Sequence, residues 1–153
     1  MDQPRIDLRD HLHPHYVVQL KGRSKDAVLE EIVRAVEGSP DVRDLPGLLA
    51  AVREREALLS TGIGLGIAIP HARIASVNRF VVAVGRCAHG IEFGSIDGKP
   101  VTIVVLIAGP QDAQKPYLEL LAQISRRLKL AEVRERITSG CTADEVVRLL
   151  TAR

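Results

Sequence analysis

Residues 101–108, which read VTIVVLIA, constrain the fold more than any other segment. The run is apolar except for Thr102, and it is rich in the β-branched residues that favour strands. An apolar run of this length without alternation is typical of a strand that is covered on both faces, as in α/β proteins. It is too short to span a bilayer, which takes ~20 apolar residues in a helix. We therefore expect an interior strand packed between helices.

Helices and further strands are predicted on both sides of this run. Ser24 is a good N-cap, Pro46 suits the first turn of a helix, and Thr142 with Glu145 has capping-box spacing. Pro70 should end regular strand pairing, because proline has no N–H to donate. The predicted helices are 25–37, 46–58, 113–130, 132–138 and 142–151, and the other predicted strands are 16–20, 67–69 and 79–86, with a turn at Asp97-Gly98. This order predicts an α/β fold, a mixed sheet flanked by helices.

Composition favours one ordered domain that spans residues 1–153. The chain is 46% hydrophobic and 26% charged, which excludes disorder as its main state. Aromatic residues make up only 3%, so the core must be aliphatic, and stacking platforms for single-stranded nucleic acid are lacking. The densest basic stretch, residues 126–129, is interpreted as a solvated helix end; a docking patch for an acidic partner or nucleic acid is the alternative.

The sequence also suggests a compartment. Cys87 and Cys141 are far apart and form no CxxC motif, which favours reduced thiols. Residues 1–10 are polar and acidic and do not resemble a secretory signal. We expect a cytoplasmic protein without membrane insertion.

The segment 61–71 carries the clearest chemical pattern. Gly62, Gly64 and Gly66 alternate, which removes side chains from one side of an extended segment and lets backbone or a partner approach closely. The third glycine of a dinucleotide-binding fingerprint would fall at Ile67, and no Gly-Lys-Ser/Thr follows as in a P-loop. On spacing alone, a flexible loop remains an alternative.

His71 follows this segment directly after Pro70. An imidazole with an ordinary pKa near ~6.5 is mostly neutral at pH 7 and is a nucleophile that needs no base to activate it. Histidine also forms covalent intermediates. A hydrogen-bonded surface histidine is the alternative interpretation.

These residues resemble the EIIA domains of the fructose/mannitol class of the bacterial phosphotransferase system, and most of all the nitrogen-regulatory EIIA proteins. The resemblance covers nearly the whole chain, and the glycine-rich segment that ends in Pro-His is its most specific part. It rests on Arg55-Glu56, 60–64 and 66–71, supported by 8–10, 90–93, 97–101 and 118–128.

The resemblance implies a phosphohistidine carrier. His71 matches the phosphorylated histidine, which receives its phosphoryl group from a small histidine-containing phosphocarrier protein. Arg55 matches the active-site arginine, whose guanidinium can bind two phosphoryl oxygens; a salt bridge to a helix neighbour is the alternative. Ser60 or Thr61 would orient the imidazole or serve a turn. The phosphate-supporting group is Ser60, Thr61, Gly62 and Gly64. An EIIB domain or a regulatory protein would be the next partner, and neither cofactor nor metal is required.

Tyr117 is a departure from the family pattern. Many members carry a second histidine where this chain has Tyr117, before Leu118. A phenol donates one hydrogen bond and brings no positive charge. Four possibilities remain open at this position. Phosphotransfer could be slower, the site could work with one histidine, the site could serve regulation, or Tyr117 could be ordinary helix packing.

Two other functions remain as alternatives. The first is a regulatory binding module that keeps the fold but has weakened or lost phosphotransfer. The second is a small α/β enzyme or nucleotide binder that holds phosphate in the glycine loop. His11, His13 and His15 alternate and could share a metal on a strand face, but a mobile polar terminus is favoured. His89 is interpreted as a loop residue.

Overall fold

The computed structural model describes residues 5–153. After a short 3₁₀ turn at Leu8–Asp10, the helices are α1 (Lys25–Arg34), α2 (Leu45–Leu58), α3 (Gln114–Leu128), α4 (Ala131–Thr138) and α5 (Ala143–Thr151). The strands are β1 (Leu12–Gln19), β2 (Gly62–Gly64), β3 (Ile67–Ala68), β4 (His71–Arg73), β5 (Val81–Ile91) and β6 (Val101–Gly109). Within these residues no helix is long and apolar enough to cross a membrane.

The six strands form one mixed sheet in the order β1-β5-β6-β3-β2, and β4 also pairs with β6. β1 runs parallel to β5, and β5 runs antiparallel to β6. β3 and β4 both lie parallel to β6 on its other side, and β2 runs antiparallel to β3. The expected mixed sheet flanked by helices is therefore confirmed.

Strand β6 is covered on both faces, as its sequence predicted. Val104 and Leu106 belong to a core cluster with residues of α1 and α2, while Val105 and Ile107 belong to a second cluster with residues of α3, α4 and α5. Alternate side chains of one strand point to opposite faces, so a nearly continuous apolar run fills both clusters. The sheet is thus the middle layer between two groups of helices.

The ends of the helices largely follow the predicted caps. The Ser24 hydroxyl accepts from the N–H of Ala27 at 3.2 Å, and Thr142 accepts from the N–H of Glu145 at 3.2 Å. The carboxylate of Glu145, however, pairs with Arg136 and does not complete the capping box with the N–H of Thr142. Sequence analysis missed one cap, Asp44, which accepts from the N–H of Gly47 at 3.0 Å.

Pairing is interrupted at Pro70 but not ended, which corrects the sequence prediction. The carbonyl of Pro70 still accepts from the N–H of Ile107 at 3.1 Å, and β4 resumes the pairing at His71. Proline lacks only its N–H, so one ladder bond is lost while its carbonyl side stays paired. The interruption places His71 at the start of a new strand beside the centre of the sheet.

The basic stretch at 126–129 lies at the end of α3. Arg127 Nε donates to the carbonyl of Leu149 at 2.7 Å, and Arg134 Nη1 donates to the carbonyl of Leu128 at 2.8 Å. These contacts use the cations to satisfy carbonyls at helix ends, where positive charge suits the helix dipole. Within the stretch 126–129 they support the first of the two interpretations for Arg127.

Candidate functional site

The candidate site lies where three elements meet beside β6. His71 and Arg73 are on β4, which contacts α2, and Arg55 is in the last turn of α2. Tyr117 is near the start of α3, the helix that follows β6. Residues that are far apart in the sequence thus come together at one end of the sheet.

His71 is half-buried and held by its own backbone. Its Nδ1 lies 3.0 Å from the carbonyl oxygen of Ile69. A carbonyl can only accept, so Nδ1 carries the proton in this contact and Nε2 keeps a free electron pair. Burial lowers the pKa of His71, and the charges of Arg55 and Arg73 lower it further, against the Ile69 contact, which raises it. The imidazole is therefore neutral at pH 7.

Tyr117 lies beside His71, at the position where the resemblance implied a second histidine. The two ring centroids are 4.9 Å apart and the ring planes are inclined by 32°. Burial raises the pKa of Tyr117, while Arg55 and Arg73 lower it. The phenol is therefore protonated at neutral pH and can donate a hydrogen bond next to the imidazole.

Arg73 is a site residue that sequence analysis missed. Its guanidinium carbon lies 5.6 Å from the centroid of the Tyr117 ring, in a cation–π arrangement. Arg73 follows His71 by two positions on one strand, so both side chains are on the same face. The spacing of two residues between His71 and Arg73 could have indicated that they share a strand face, but the sequence analysis predicted no strand after Pro70. Arg73 thus brings a second cation, besides Arg55, to the surroundings of Tyr117 and His71.

Arg55 brings positive charge to the same place from α2. Its Nη1 donates to the carbonyl of Leu59 at 2.9 Å, which fixes the guanidinium across the end of the helix. No salt bridge of Arg55 is found among residues 5–153; its neighbour Arg53 pairs with Asp26 instead. The alternative of a structural salt bridge therefore has no support, and Arg55 keeps donors for an anion.

For Ser60 and Thr61 the structure favours the second of the two alternatives, a local structural role, because neither hydroxyl contacts the imidazole. Ser60 Oγ donates to the carbonyl of Phe93 at 2.6 Å, and Thr61 Oγ1 donates to Glu56 at 2.6 Å. Both hydroxyl protons are used within the loop, and the orienting contact comes from Ile69. Tertiary packing, which short-range sequence patterns do not show, decides these partners.

Glu56 anchors the glycine-rich segment and was also missed. Its side chain is buried, accepts from the N–H of Thr61 at 2.9 Å, and forms an ion pair with Lys25 at 2.8 Å. Lys25 also donates to the carbonyl of Phe93 and lies over its ring. A buried charge needs such partners, so Glu56 connects α1, α2 and the start of β2 behind His71.

The glycines are used mainly for close packing and backbone conformation. A Cβ on Gly62 would lie 2.3 Å from Ser95 Oγ and 3.0 Å from the Cα of Ser95. Gly64 and Gly66 have φ of 92° and 77°, which glycine adopts without strain. The N–H of Gly62 donates to Ser60 Oγ. Support of a phosphate by Ser60, Thr61, Gly62 or Gly64 remains a prediction.

The other histidines do not form a metal site. His11 Nδ1 lies 2.8 Å from the carbonyl oxygen of Phe80, and the exposed rings of His13 and His15 stack on each other. Within residues 5–153 no group of three or more His, Cys, Asp or Glu could hold a metal ion. Residues 12–15 belong to β1, so the expectation of a mobile terminus was wrong for them.

The sequence matches the family model described as "Phosphoenolpyruvate-dependent sugar phosphotransferase system, EIIA 2" over residues 11–152. The chain therefore belongs to this family. It is an EIIA-type component of a phosphotransferase system, as the glycine-rich segment and the residues around it predicted.

Relatives place the chain near two groups of this family. It is 35% identical over 134 residues to a nitrogen regulatory protein of Pseudomonas aeruginosa, covering 88% of this chain and 87% of the relative. It is also 32% identical over 133 residues to a fructose-specific EIIABC component of Bacillus subtilis. This match covers 87% of this chain but only 21% of the relative.

Solved structures agree with the fold. The nitrogen regulatory protein IIA-Ntr of Neisseria meningitidis superposes with a TM-score of 0.87 at 29% identity, covering 94% of this chain and 99% of that chain. The Escherichia coli mannitol enzyme IIA, in its complex with phosphorylated enzyme IIB, gives a TM-score of 0.79 at 22% identity over 93% and 98% of the two chains.

Proposed function

We propose that this chain is a phosphohistidine carrier and regulator that accepts a phosphoryl group on Nε2 of His71. The observation that carries the proposal is the state of that imidazole. It is half-buried and neutral, its Nδ1 is held by the carbonyl of Ile69, and two arginines and a phenol surround it. A nucleophilic nitrogen next to anion-binding donors is the arrangement that phosphoryl transfer requires.

The donor is a histidine-containing phosphocarrier protein. In the transfer step the free electron pair of Nε2 forms a bond to phosphorus while the bond between phosphorus and the donor nitrogen breaks, leaving the electron pair on the donor. The proton on His71 Nδ1 stays in its bond to Ile69. Arg55 and Arg73 stabilise the negative charge of the phosphoryl oxygens, and Tyr117 donates its hydroxyl proton to one of them. The step needs neither metal nor organic cofactor.

An apolar surface next to the site supports a protein donor. The loops before β3 and β6 expose large apolar side chains and are joined by hydrogen bonds from Ile96 N–H to the Gly62 carbonyl and from Leu65 N–H to Asp97. Exposed apolar groups of this kind are typical of protein interaction sites. The exposed apolar residues of these loops and the end of α2 are Leu58, Leu59, Ile63, Leu65 and Ile96.

The downstream partner is an EIIB domain or a regulatory protein. The mannitol enzyme IIA of E. coli is found in a complex with phosphorylated enzyme IIB. The relative in P. aeruginosa is named a nitrogen regulatory protein. We favour the regulatory output, because this chain is 35% identical to that nitrogen regulatory protein and superposes on IIA-Ntr of N. meningitidis with a TM-score of 0.87.

Incubation with phosphoenolpyruvate and the general phosphocarrier cascade, followed by intact-mass analysis, tests the proposal. The wild-type chain should gain the mass of one phosphoryl group, in an adduct that is labile in acid and stable in base. The His71→Ala variant should gain none, and the matched His13→Ala variant should behave like the wild type. An unmodified wild-type chain that is fully folded would favour the alternative, a regulatory module that has lost phosphotransfer.

A further inference from the structure

A second cleft lies away from the histidine site. It has a volume of about 820 Å³ and runs between residues 5–9, one face of α3 and the end of α5. A smaller cavity of about 400 Å³ adjoins it and shares Ile6, Lys115 and Glu119 with it. None of His71, Arg55, Arg73 or Tyr117 lines either space. Volumes of this size are typical of small-molecule sites.

The large cleft is strongly cationic. Five basic and two acidic side chains line it, an excess of three positive charges in a chain whose net charge is only +2. One acid, Asp7, is neutralised by Arg9, which donates to it through Nε and Nη2. These hydrogen bonds hold the pKa of Asp7 at about 2, so the pair stays charged and paired. The other four basic side chains are Arg5, Lys115, Arg126 and Arg153.

One wall of the cleft is the segment 6–8, which hydrogen bonds hold against α3. Gln123 on α3 accepts from the N–H of Leu8 at 3.0 Å and donates to the carbonyl of Ile6 at 2.7 Å. Glu119 accepts from the N–H of Ile6 at 3.2 Å. Glu119, the second acidic residue of the cleft, thus bonds to the backbone N–H of Ile6 through its carboxylate. Because these bonds fix the segment 6–8 against α3, the cleft is formed before any ligand binds.

The smaller cavity offers a different chemistry. Its apolar surface comes from Ile6, Phe80, Pro110 and Pro116, and its polar groups come from His11, Asn78, Arg79, Lys115 and Glu119. A ligand that fits both spaces therefore carries negative charge at one end and a flat apolar group at the other. Arginine favours phosphate, because its planar guanidinium can donate two parallel hydrogen bonds.

We propose that this cleft binds an organic polyphosphate of the size of a nucleoside diphosphate, with its phosphoryl groups against Arg126, Lys115 and Arg5 and its ring at the smaller cavity. The site is separate from His71 and does not depend on phosphotransfer. It also differs from a nucleotide site in the glycine loop, because no residue of 60–71 takes part.

Isothermal titration calorimetry of the full chain with ADP and with pyrophosphate tests the proposal. ADP should bind at one site and at least tenfold more tightly than pyrophosphate, because only ADP fills the apolar cavity. Arg126→Gln should weaken ADP binding about tenfold through the lost charge-assisted contact. Lys129→Gln removes the same charge from the exposed end of the same helix, outside the cleft, and should leave the affinity unchanged.

Three results would overturn the proposal. They are the absence of ADP binding at millimolar concentration, equal weakening by Arg126→Gln and Lys129→Gln, and equal affinity for ADP and pyrophosphate. Chemical-shift mapping by NMR independently locates the residues that ADP contacts. ADP should shift the amides of Lys115, Glu119 and Arg126, and shifts confined to residues 60–71 would contradict the assignment.

Discussion

The pKa of the His71 imidazole is set by burial, two arginine side chains and one backbone carbonyl, whose effects have opposite signs. Burial and the charges of Arg55 and Arg73 lower its pKa, and the hydrogen bond to Ile69 raises it. The neutral form that results is the nucleophilic one. The same two cations that disfavour protonation also favour the arrival of a phosphoryl group, so they prepare the site for an anion in two ways.

Replacing Arg73 tests the residue that the sequence did not reveal. Arg73→Gln should slow phosphorylation of His71 by ~10²-fold, the usual cost of losing one donor to a developing negative charge. Arg55→Gln should do the same, as the family resemblance implies. Rapid-quench kinetics with the phosphorylated donor protein measures both rates.

Arg53→Gln is the matched control, since Arg53 shares α2 with Arg55 but pairs with Asp26 away from the imidazole. Its rate should equal that of the wild type. If Arg73→Gln lowers the melting temperature and leaves the rate of the folded fraction unchanged, Arg73 is a structural residue.

Variants of Tyr117 test whether its hydroxyl contacts the phosphoryl group or whether its ring only packs beside His71. Tyr117→Phe keeps the ring beside His71 but removes the hydroxyl, and we expect transfer to slow by about tenfold. Tyr117→His introduces the histidine that the family resemblance implies at this position and should speed transfer by about tenfold. Tyr16→Phe, in the other core cluster, is the control. An unchanged rate in Tyr117→Phe would assign the phenol to packing alone.

A specific motif and a family pattern led to the prediction of His71, Arg55 and Tyr117 as site residues, and the structure places the rings of His71 and Tyr117 side by side. Arg73 was not predicted, because Pro70 was expected to end strand pairing, whereas pairing with β6 resumes at His71. Glu56 was noted only as part of the family motif, and only the tertiary structure shows that its carboxylate bonds to Lys25 and Thr61. Short-range patterns carry no information on such partners.

Among the helices and strands, the segment between α2 and β3 is the one that positions the site. It is tied to α2 by Glu56, to α1 through Lys25, and to the loop before β6 by close contact of Gly62 with Ser95. The strand β6 itself was predictable, because a continuous apolar run reports burial on both faces. β2 and β4 have three residues each and were not predicted, since such short strands show no periodicity.

Removing the charge of Glu56 should loosen this segment. Glu56→Gln leaves Lys25 without its ion-pair partner, and we expect a loss of about 2–3 kcal/mol in the free energy of unfolding. Urea denaturation followed by circular dichroism measures it. The exposed neighbour Glu54 offers a control, because Glu54→Gln should change stability by less than about 0.5 kcal/mol. Equal stability of the two variants would show that the buried pair contributes nothing net.

The chain as one folded unit is organised around a sheet that both core clusters share. Strand β6 contributes to each cluster, so neither group of helices can lose its packing without exposing the other side of the same strand. Length and composition predict a single domain for residues 1–153, and the sheet shared by the two core clusters of residues 5–153 is in keeping with that prediction. The cationic cleft was not predictable, because its charges come from three distant parts of the sequence.

Unfolding should accordingly be a single cooperative transition. The two tyrosines report on the two faces of the sheet, since Tyr16 belongs to one cluster and Tyr117 packs against the other. Fluorescence of Tyr117→Phe follows Tyr16, and fluorescence of Tyr16→Phe follows Tyr117. In each variant the tyrosine signal and circular dichroism should have the same urea midpoint. Separate midpoints would mean that the two layers unfold independently.

The nitrogen that carries the phosphoryl group tests the central claim most directly. Because Nδ1 of His71 is held by Ile69, the phosphoryl group must arrive on Nε2. Phosphorus–proton correlation NMR of the chain, phosphorylated by its donor and labelled at histidine with ¹⁵N, identifies the residue and the nitrogen together. We predict one phosphorus signal coupled to the His71 ring through Nε2. A signal on Nδ1, or on any residue other than His71, would contradict the account.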